Sequence, residues 1–221
     1  MLDKQALFFA RADRLDDPFE GSYSKANVKL RPVIYKDIPE ESLRAMLTQL
    51  PKFNKEFRRF TIINCWHMNE YESAAMWKLY LKSDEGVAIQ STFKRLTESF
   101  IKYSEHEIYI GKVKYIDYDT EWLPEGNSFY PFVHKRKSFE HEHELRAIIG
   151  EVPSEGDKID FNKEVFQIGV YIPVNLDTLI EKIFISPTAP EWFDDLVKSI
   201  VNKYNFKKQV IKSDLAHGPV Y

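Results

Sequence analysis

Along this chain the hydrophobic pattern switches repeatedly between a period of two and a helical period, and the switches predict its elements. Ala6–Ala10 (ALFFA) is an unbroken apolar run and reads as a buried strand. Asp16-Asp17-Pro18 then breaks the chain into a turn. Glu40–Leu50 reads as a helix ended by Pro51, and Phe60–Trp66 (FTIINCW) is rich in β-formers. Glu70–Tyr80 places Tyr71, Ala74, Ala75 and Tyr80 at helical spacing. Gly86–Ser91 reads as a short buried strand and Phe93–Tyr103 as the helix after it.

Further on, Glu107–Tyr115 alternates apolar and polar positions around Gly111, and Asp117–Asn127 is a polar loop. Leu145–Gly150, Gln167–Ile172 and Lys182–Ile185 are apolar runs bounded by turn residues. The segment Pro187-Thr188-Ala189-Pro190 leads into a helix over Glu191–Tyr204, and Lys208–Ile211 closes a sheet. Glu151–Asp160, with Pro153 and Gly156, suits a short linker or a hairpin loop equally. Strands and helices interleaved in this way, without repeats or low-complexity tracts, predict one mixed α/β (α+β) domain over 1–221. Its sheet is expected to be mixed, mostly antiparallel, and flanked by helices.

Composition narrows the function classes. Apolar residues make up 43% of the chain and aromatics 14%, enough for a substantial core and unlike a disordered chain. The net charge of −3 offers no global positive field for nucleic acid. The single cysteine, Cys65, rules out an intrachain disulfide framework. Neither a signal-peptide core nor an apolar run of about 18 residues is present, so a cytoplasmic protein away from the membrane is the expectation.

The densest polar cluster is HKRKSFEHEHELR, His134–Arg146. As a strand from Glu140 it would put Glu140, Glu142, Glu144 and Arg146 on one face, and His141 and His143 on the other. As a helix it would pair Glu142 with Arg146 and Glu140 with Glu144. The apolar run that follows favours a strand starting near Glu144, after a helical turn that Ser138 could cap. A glutamate at a strand start can face a cleft from a rigid backbone, which suits Glu144 or Glu142 as a catalytic carboxylate. A surface Glu–Arg bridge is the plainer expectation. His141-x-His143 with His134 is a weak pattern for a metal, and no HExxH step exists.

Cys65 and His67 would share a strand face, with a buried core cysteine as the default. Asp17, in the DDPFEG turn, lies at the rim of the first strand. Trp66, Trp77 and Tyr80 are candidates for stacking on a base or sugar, or plain core. No glycine-rich phosphate loop exists, which disfavours a dinucleotide fingerprint and a P-loop.

Six stretches carry a resemblance. They are LFFARADRLDDPFEG (Leu7–Gly21), NCWHMNEYESAAMWKLY (Asn64–Tyr80), GVAIQS (Gly86–Ser91), IGKVKYIDY (Ile110–Tyr118), KRKSFEHEHELRAI (Lys135–Ile148) and SPTAPEWF (Ser186–Phe193). In this order they resemble the bacterial and phage family catalogued as domain of unknown function 2971. The family pattern usually has about one more strand and helix upstream of the ALFF-like strand, which implies a chain shortened at its N-terminus. The layout is also similar, by analogy, to that of ADP-ribosyltransferases. That likeness implies an NAD-binding or NAD-consuming enzyme, in a toxin or phage-defence setting. Glu144 or Glu142 would polarise the nicotinamide ribose. Arg11 or Arg146 would meet the pyrophosphate, and Trp77 or Tyr80 would stack on nicotinamide. Two other readings stand beside it. One is a non-catalytic module binding protein or nucleic acid through Lys135-Arg136-Lys137. The other is a metal-dependent nuclease using Asp17, Glu20, Glu142 and the histidines. Oligomeric state is not legible here.

Overall fold

The first long helix ends where aromatic packing lets it, not where its proline stands. In the computed structural model, which describes residues 1–155 and 158–220, this helix runs Glu40–Phe57 straight through Pro51. An interior proline costs a helix roughly 3 kcal/mol. Past Pro51, however, Phe53 and Phe57 stack at 5.3 Å, and Phe57 meets Phe132 at 5.7 Å in an apolar core. Burying one such ring yields about 1.5–3 kcal/mol. Two rings therefore outweigh the proline, and the stop expected at Pro51 is overturned.

The fold is α+β, 36% helix and 23% strand, with a mostly antiparallel sheet and flanking helices in a single domain. Its contacts group into two compact units. The first comprises Met1–Leu7, Asn69–Glu105 and Tyr171–Tyr221; the second comprises Phe8–Met68 and His106–Val170. No helix among the described residues is long and apolar enough to cross a membrane.

The second unit is organised by a five-stranded sheet. Its strands are β1 (Ala6–Arg11), β2 (Thr61–His67), β4 (Tyr109–Lys112), β7 (Glu144–Gly150) and β10 (Gly169–Pro173), in the order β10-β1-β2-β7-β4. The boundary between the units falls within β1 and β10. The antiparallel β2–β7 ladder pairs Thr61 with Gly150 through to His67 with Glu144. One sheet face carries Ile63 and Ile148 onto Phe57, Phe60 and Phe132. The other buries Phe9, Ile62, Ala147 and Ile149. A short parallel pair, β5 (Lys114–Ile116) and β6 (His134–Arg136), lies nearby in the chain. Glu151–Asp160 forms the hairpin β8 (Ser154–Glu155) and β9 (Lys158–Ile159); Gly156 lies outside the described residues.

Two helices complete this unit: α1 (Lys25–Ile34) and α2, the helix Glu40–Phe57. Helix α1 has no counterpart in the sequence reading, and its burial explains why. It hides the polar Asn27 and Arg31 and leaves Val28 and Val33 exposed, the reverse of ordinary amphipathicity. Asn27 is buried because both ends of its amide bond the backbone of Leu123, and Arg31 donates to Glu125 at 2.7 Å. The polar loop Asp117–Asn127 is thereby fastened to α1.

The first unit has a three-stranded sheet, order β12-β11-β3, from β3 (Val87–Gln90), β11 (Lys182–Ile185) and β12 (Gln209–Lys212). Around it stand α3 (Ala74–Tyr80), α4 (Phe93–Ser99), α5 (Leu176–Leu179) and α6 (Glu191–Lys203). Ser73 caps α3 by accepting the Met76 N–H, so this helix starts later than periodicity alone suggests; Thr92 caps α4 at its expected start, and α4 ends at Ser99, sooner than expected.

Candidate functional site

Glu144 opens β7, as the apolar run predicts. The residues before it, Lys137–Glu142, form a 3-10 helix, and His143 turns the chain with φ +42°. Ser138 does not cap this turn, because the turn begins one residue earlier and Arg136 stands at its cap with no side-chain bond. His141 and His143 are therefore not strand neighbours on one face. His67 pairs with Glu144 in the ladder, and its Nδ1 lies 2.6 Å from the Glu142 carbonyl oxygen.

Alternation along β7 puts Glu144 and Arg146 on the same face. They are not a surface bridge. Arg146 is 1% exposed and Glu144 5%. Arg146 Nε donates to Glu144 at 2.6 Å, and its two terminal nitrogens clasp Glu20 at 2.5 and 3.0 Å. Nη1 also donates to the Phe132 carbonyl at 2.7 Å. Lys135 pairs with Glu142 and lies 3.6 Å from Glu144. Opposite Arg146, β4 carries Gly111, so no side chain from that strand competes for its space. The Tyr115 hydroxyl accepts the Glu144 backbone N–H at 2.9 Å.

This cluster is one cation short. Glu20, Glu142 and Glu144 stand against Arg146 and Lys135, three carboxylates to two cations. The neighbouring pair, Asp17 with Arg136 at 2.8 Å, is balanced in itself. The shortfall falls on Glu20. Burial pushes its carboxyl above the ordinary range, and the pull of Arg146 only partly offsets this. Burial acts against the charge of Arg146 too, but Glu20 and the other anionic neighbours outweigh it and hold the guanidinium charged. Tyr115 is pushed up to about 12, chiefly by burial.

Cys65 pairs with Arg146 in the ladder and shares its face. It is exposed as a residue, against the expectation of a core cysteine. Protein nevertheless crowds its sulfur and pushes the thiol up to about 12. A position open to solvent but recessed reconciles the two. Such a thiol is a poor nucleophile at neutral pH.

A cavity of about 320 Å³ is lined by Phe19 and Arg136, chain neighbours of Glu20 and Lys135, together with Tyr118, Lys137 and two carboxylates, Asp117 and Asp119; the cluster residues themselves do not line it. The Arg136 guanidinium stacks on Phe19 at 4.1 Å while bound to Asp17, whose other role is to accept the Phe19 N–H. Asp17 is thus at the site as a holder of Arg136.

The other expected site residues are placed elsewhere. Arg11 pairs with Ile62 in the β1–β2 ladder, which puts it on the face opposite Arg146. It is tied there to Asp13, Glu164 and the Phe166 carbonyl, so it does not join the Glu144–Arg146 pair. Trp77 and Tyr80 belong to the first unit, on α3, with Tyr80 exposed. Trp66 spends its indole N–H on Asn64 at 2.6 Å. The strip Lys135-Arg136-Lys137 is not a free basic surface, because each cation has its own carboxylate: Glu142, Asp17 and Glu121. Among the described residues no group of three or more His, Cys, Asp or Glu is placed to hold a metal. The shared coordination sphere of Asp17, Glu20, Glu142 and the histidines is therefore not formed.

Two members were missed by sequence reasoning: Glu20 as the main partner of Arg146, and Lys135 as a buried cation. The available signal for Glu20 was its place before Gly21, which takes φ +70° and turns the chain back toward the sheet. What these features define is an α+β protein with a desolvated carboxylate–guanidinium cluster at a strand start. No family model, curated protein or solved structure matches the chain.

Proposed function

We propose that this chain is an enzyme acting on a nucleotide, of the ADP-ribosyltransferase-like, NAD-consuming kind, with Glu144 as its central carboxylate. The observation that carries this reading is the buried cluster Glu20–Arg146–Glu144–Lys135, one cation short, with a cavity lined by its chain neighbours Phe19 and Arg136. Burying that much charge is costly, and perturbed carboxylates of this kind concentrate where chemistry is done.

In this reading the glycosidic C1′–N bond of NAD breaks and nicotinamide leaves with the electron pair. Glu144 accepts a hydrogen bond from a ribose hydroxyl and favours the cation-like transition state. Water or an acceptor group then attacks C1′ and gives up its proton to solvent. Arg146 positions both carboxylates. Arg11 is committed on the far face; Arg136, at the cavity, is the guanidinium placed for the pyrophosphate and would exchange Asp17 for it. The family resemblance and the toxin or phage-defence setting agree with this chemistry and rest on the quoted motifs alone.

The test is NAD turnover and NAD-dependent thermal shift for the native chain and Glu144→Gln, whose fold is checked by circular dichroism. A folded variant with turnover reduced by roughly 100-fold or more is expected for loss of a transition-state carboxylate. Turnover unchanged in the folded variant, or a native chain that neither binds nor consumes NAD, overturns the assignment.

A further inference from the structure

A second cavity, of about 230 Å³, lies in the second unit between α1, α2 and the Gly21–Tyr23 segment. Its walls hold three cations, Arg31, Lys55 and Arg58, and no carboxylate. Two of these guanidinium groups are incompletely satisfied. Arg31 is 3% exposed, and its Nε is taken by Glu125, yet its Nη2 is buried with no hydrogen-bond partner among the described residues. Among the described residues Arg58 reaches the Pro18 carbonyl, at 3.4 Å through Nη1, while its Nε is buried with no partner there.

Those two atoms have almost no accessible surface, so what the wall offers a ligand is the charge and the remaining N–H groups of Arg31 and Arg58. A ligand oxyanion answers both, since guanidinium groups match phosphate and carboxylate oxygens in shape and charge. The charge balance selects between these. Glu125 neutralises Arg31 at 2.7 Å, and Lys55 makes no ion pair among the described residues. The wall thus presents two net positive charges, from Lys55 and Arg58. A phosphate monoester carries about −1.5 to −2 at neutral pH and balances them; a carboxylate carries half of that. The remaining wall is apolar, formed by Tyr23, Val28 and Pro51. The space exceeds what a bare phosphate fills and suits a ring-sized body. Asn54 and Ser22 add polar groups at the rim.

We propose that this cavity is a binding site for a small phosphate monoester, held by Arg31, Arg58 and Lys55 with its organic body against Tyr23 and Val28. The site is separate from the Glu144 cluster and does not depend on the activity assigned there. It gives α1 its inverted burial a purpose, because the helix faces its arginine inward to line this wall.

Isothermal titration of the full chain with phenyl phosphate, inorganic phosphate and phenol tests the proposal. Phenyl phosphate is expected to bind with Kd below about 1 mM at moderate salt. Inorganic phosphate should bind roughly tenfold more weakly, and phenol not measurably. Lys55 is exposed, so Lys55→Gln is expected to fold normally and to weaken phenyl phosphate roughly 5–10-fold. Arg58→Gln should weaken it further, and its fold is checked by circular dichroism. No heat with either phosphate, equal affinity in Lys55→Gln and the native chain, or phenol binding as well as its phosphate each overturns the assignment. Inorganic phosphate binding as tightly as the ester overturns the monoester specificity.

Discussion

Replacing Arg146 by methionine removes the hub of the buried cluster while keeping most of its volume. Four hydrogen bonds go at once: one to Glu144, two to Glu20 and one to the Phe132 carbonyl. Their separate values do not add, because they share one cation. Removing one partner of a buried ion pair typically costs about 3–5 kcal/mol, because the other charge stays behind in a dry site. Here two carboxylates stay behind, so we place Arg146→Met at the upper end, near 5 kcal/mol at pH 8. With a urea slope of roughly 2–3 kcal/mol per molar, the unfolding midpoint falls by about 2 M.

The pH dependence gives the sharper check. Burial raises the Glu20 carboxyl in the folded protein. A carboxyl raised on folding adds stability that is complete below its unfolded value and is lost as pH rises through its folded value. In Arg146→Met the downward pull of the guanidinium is gone, so the folded value of Glu20 climbs further. The deficit against the native chain is then largest at pH 8 and narrows toward pH 5, by at most about 1.4 kcal/mol per pH unit for each carboxylate. Adding Glu20→Gln to Arg146→Met should recover about 1–3 kcal/mol relative to the sum of the single changes. Urea melts at pH 5, 6.5 and 8 measure all of this. A deficit below about 1 kcal/mol, or one that widens on acidification, refutes the charge-shortage account of the cluster.

Two further outcomes follow from the same geometry. The triple replacement Glu20→Met, Glu144→Leu, Arg146→Met exchanges charges for apolar groups of similar size; its stability should come within about 2 kcal/mol of the native chain or exceed it, by urea melt. A loss larger than that of Arg146→Met alone would mean the charges are needed for folding itself. Cys65, with its thiol near 12, should react with iodoacetamide at pH 8 roughly 50-fold more slowly than in urea-unfolded chain. Its rate should still be rising at pH 10; equal rates at pH 8 would show that the sulfur is not recessed.

Much of this fold was legible because its strands follow simple burial rules. Lys182–Ile185 and Glu144–Gly150 are apolar runs with turn residues at their ends, and the strands form there. Val87–Gln90 also forms a strand, but not the buried one expected, since Val87 is 47% exposed. The placement of Glu144 and Arg146 on one face also follows from a period of two. The failures share a cause: each needed a contact distant in sequence. Pro51 is carried through α2 by Phe53 and Phe57, which pack on Phe129 and Phe132. Helix α1 is hidden because its buried face is polar, and its main partners are in a loop almost a hundred residues on. Arg11 reads as a site cation until the β1–β2 register turns it to the other face. Glu20 reads as a candidate metal ligand and Lys135 as part of a basic strip, since nothing in the local pattern says that each has a buried partner.

The composition of the cluster bears on why it exists. An isolated Glu–Arg bridge could hold β7 to its neighbours at little cost from either charge. This cluster instead gathers Glu20, Lys135, Glu142, Glu144 and Arg146 from three separate stretches of chain and leaves one carboxylate uncompensated. Stability alone favours apolar side chains in that position, because water lost from five charged groups is not fully regained by their pairing. A carboxyl that burial holds above its ordinary range, beside a second carboxylate fixed by the same guanidinium, is of little use to a core and of direct use to a bond-breaking step. The surplus charge is the strongest physical reason to look for chemistry at Glu144 rather than to count the cluster as scaffolding.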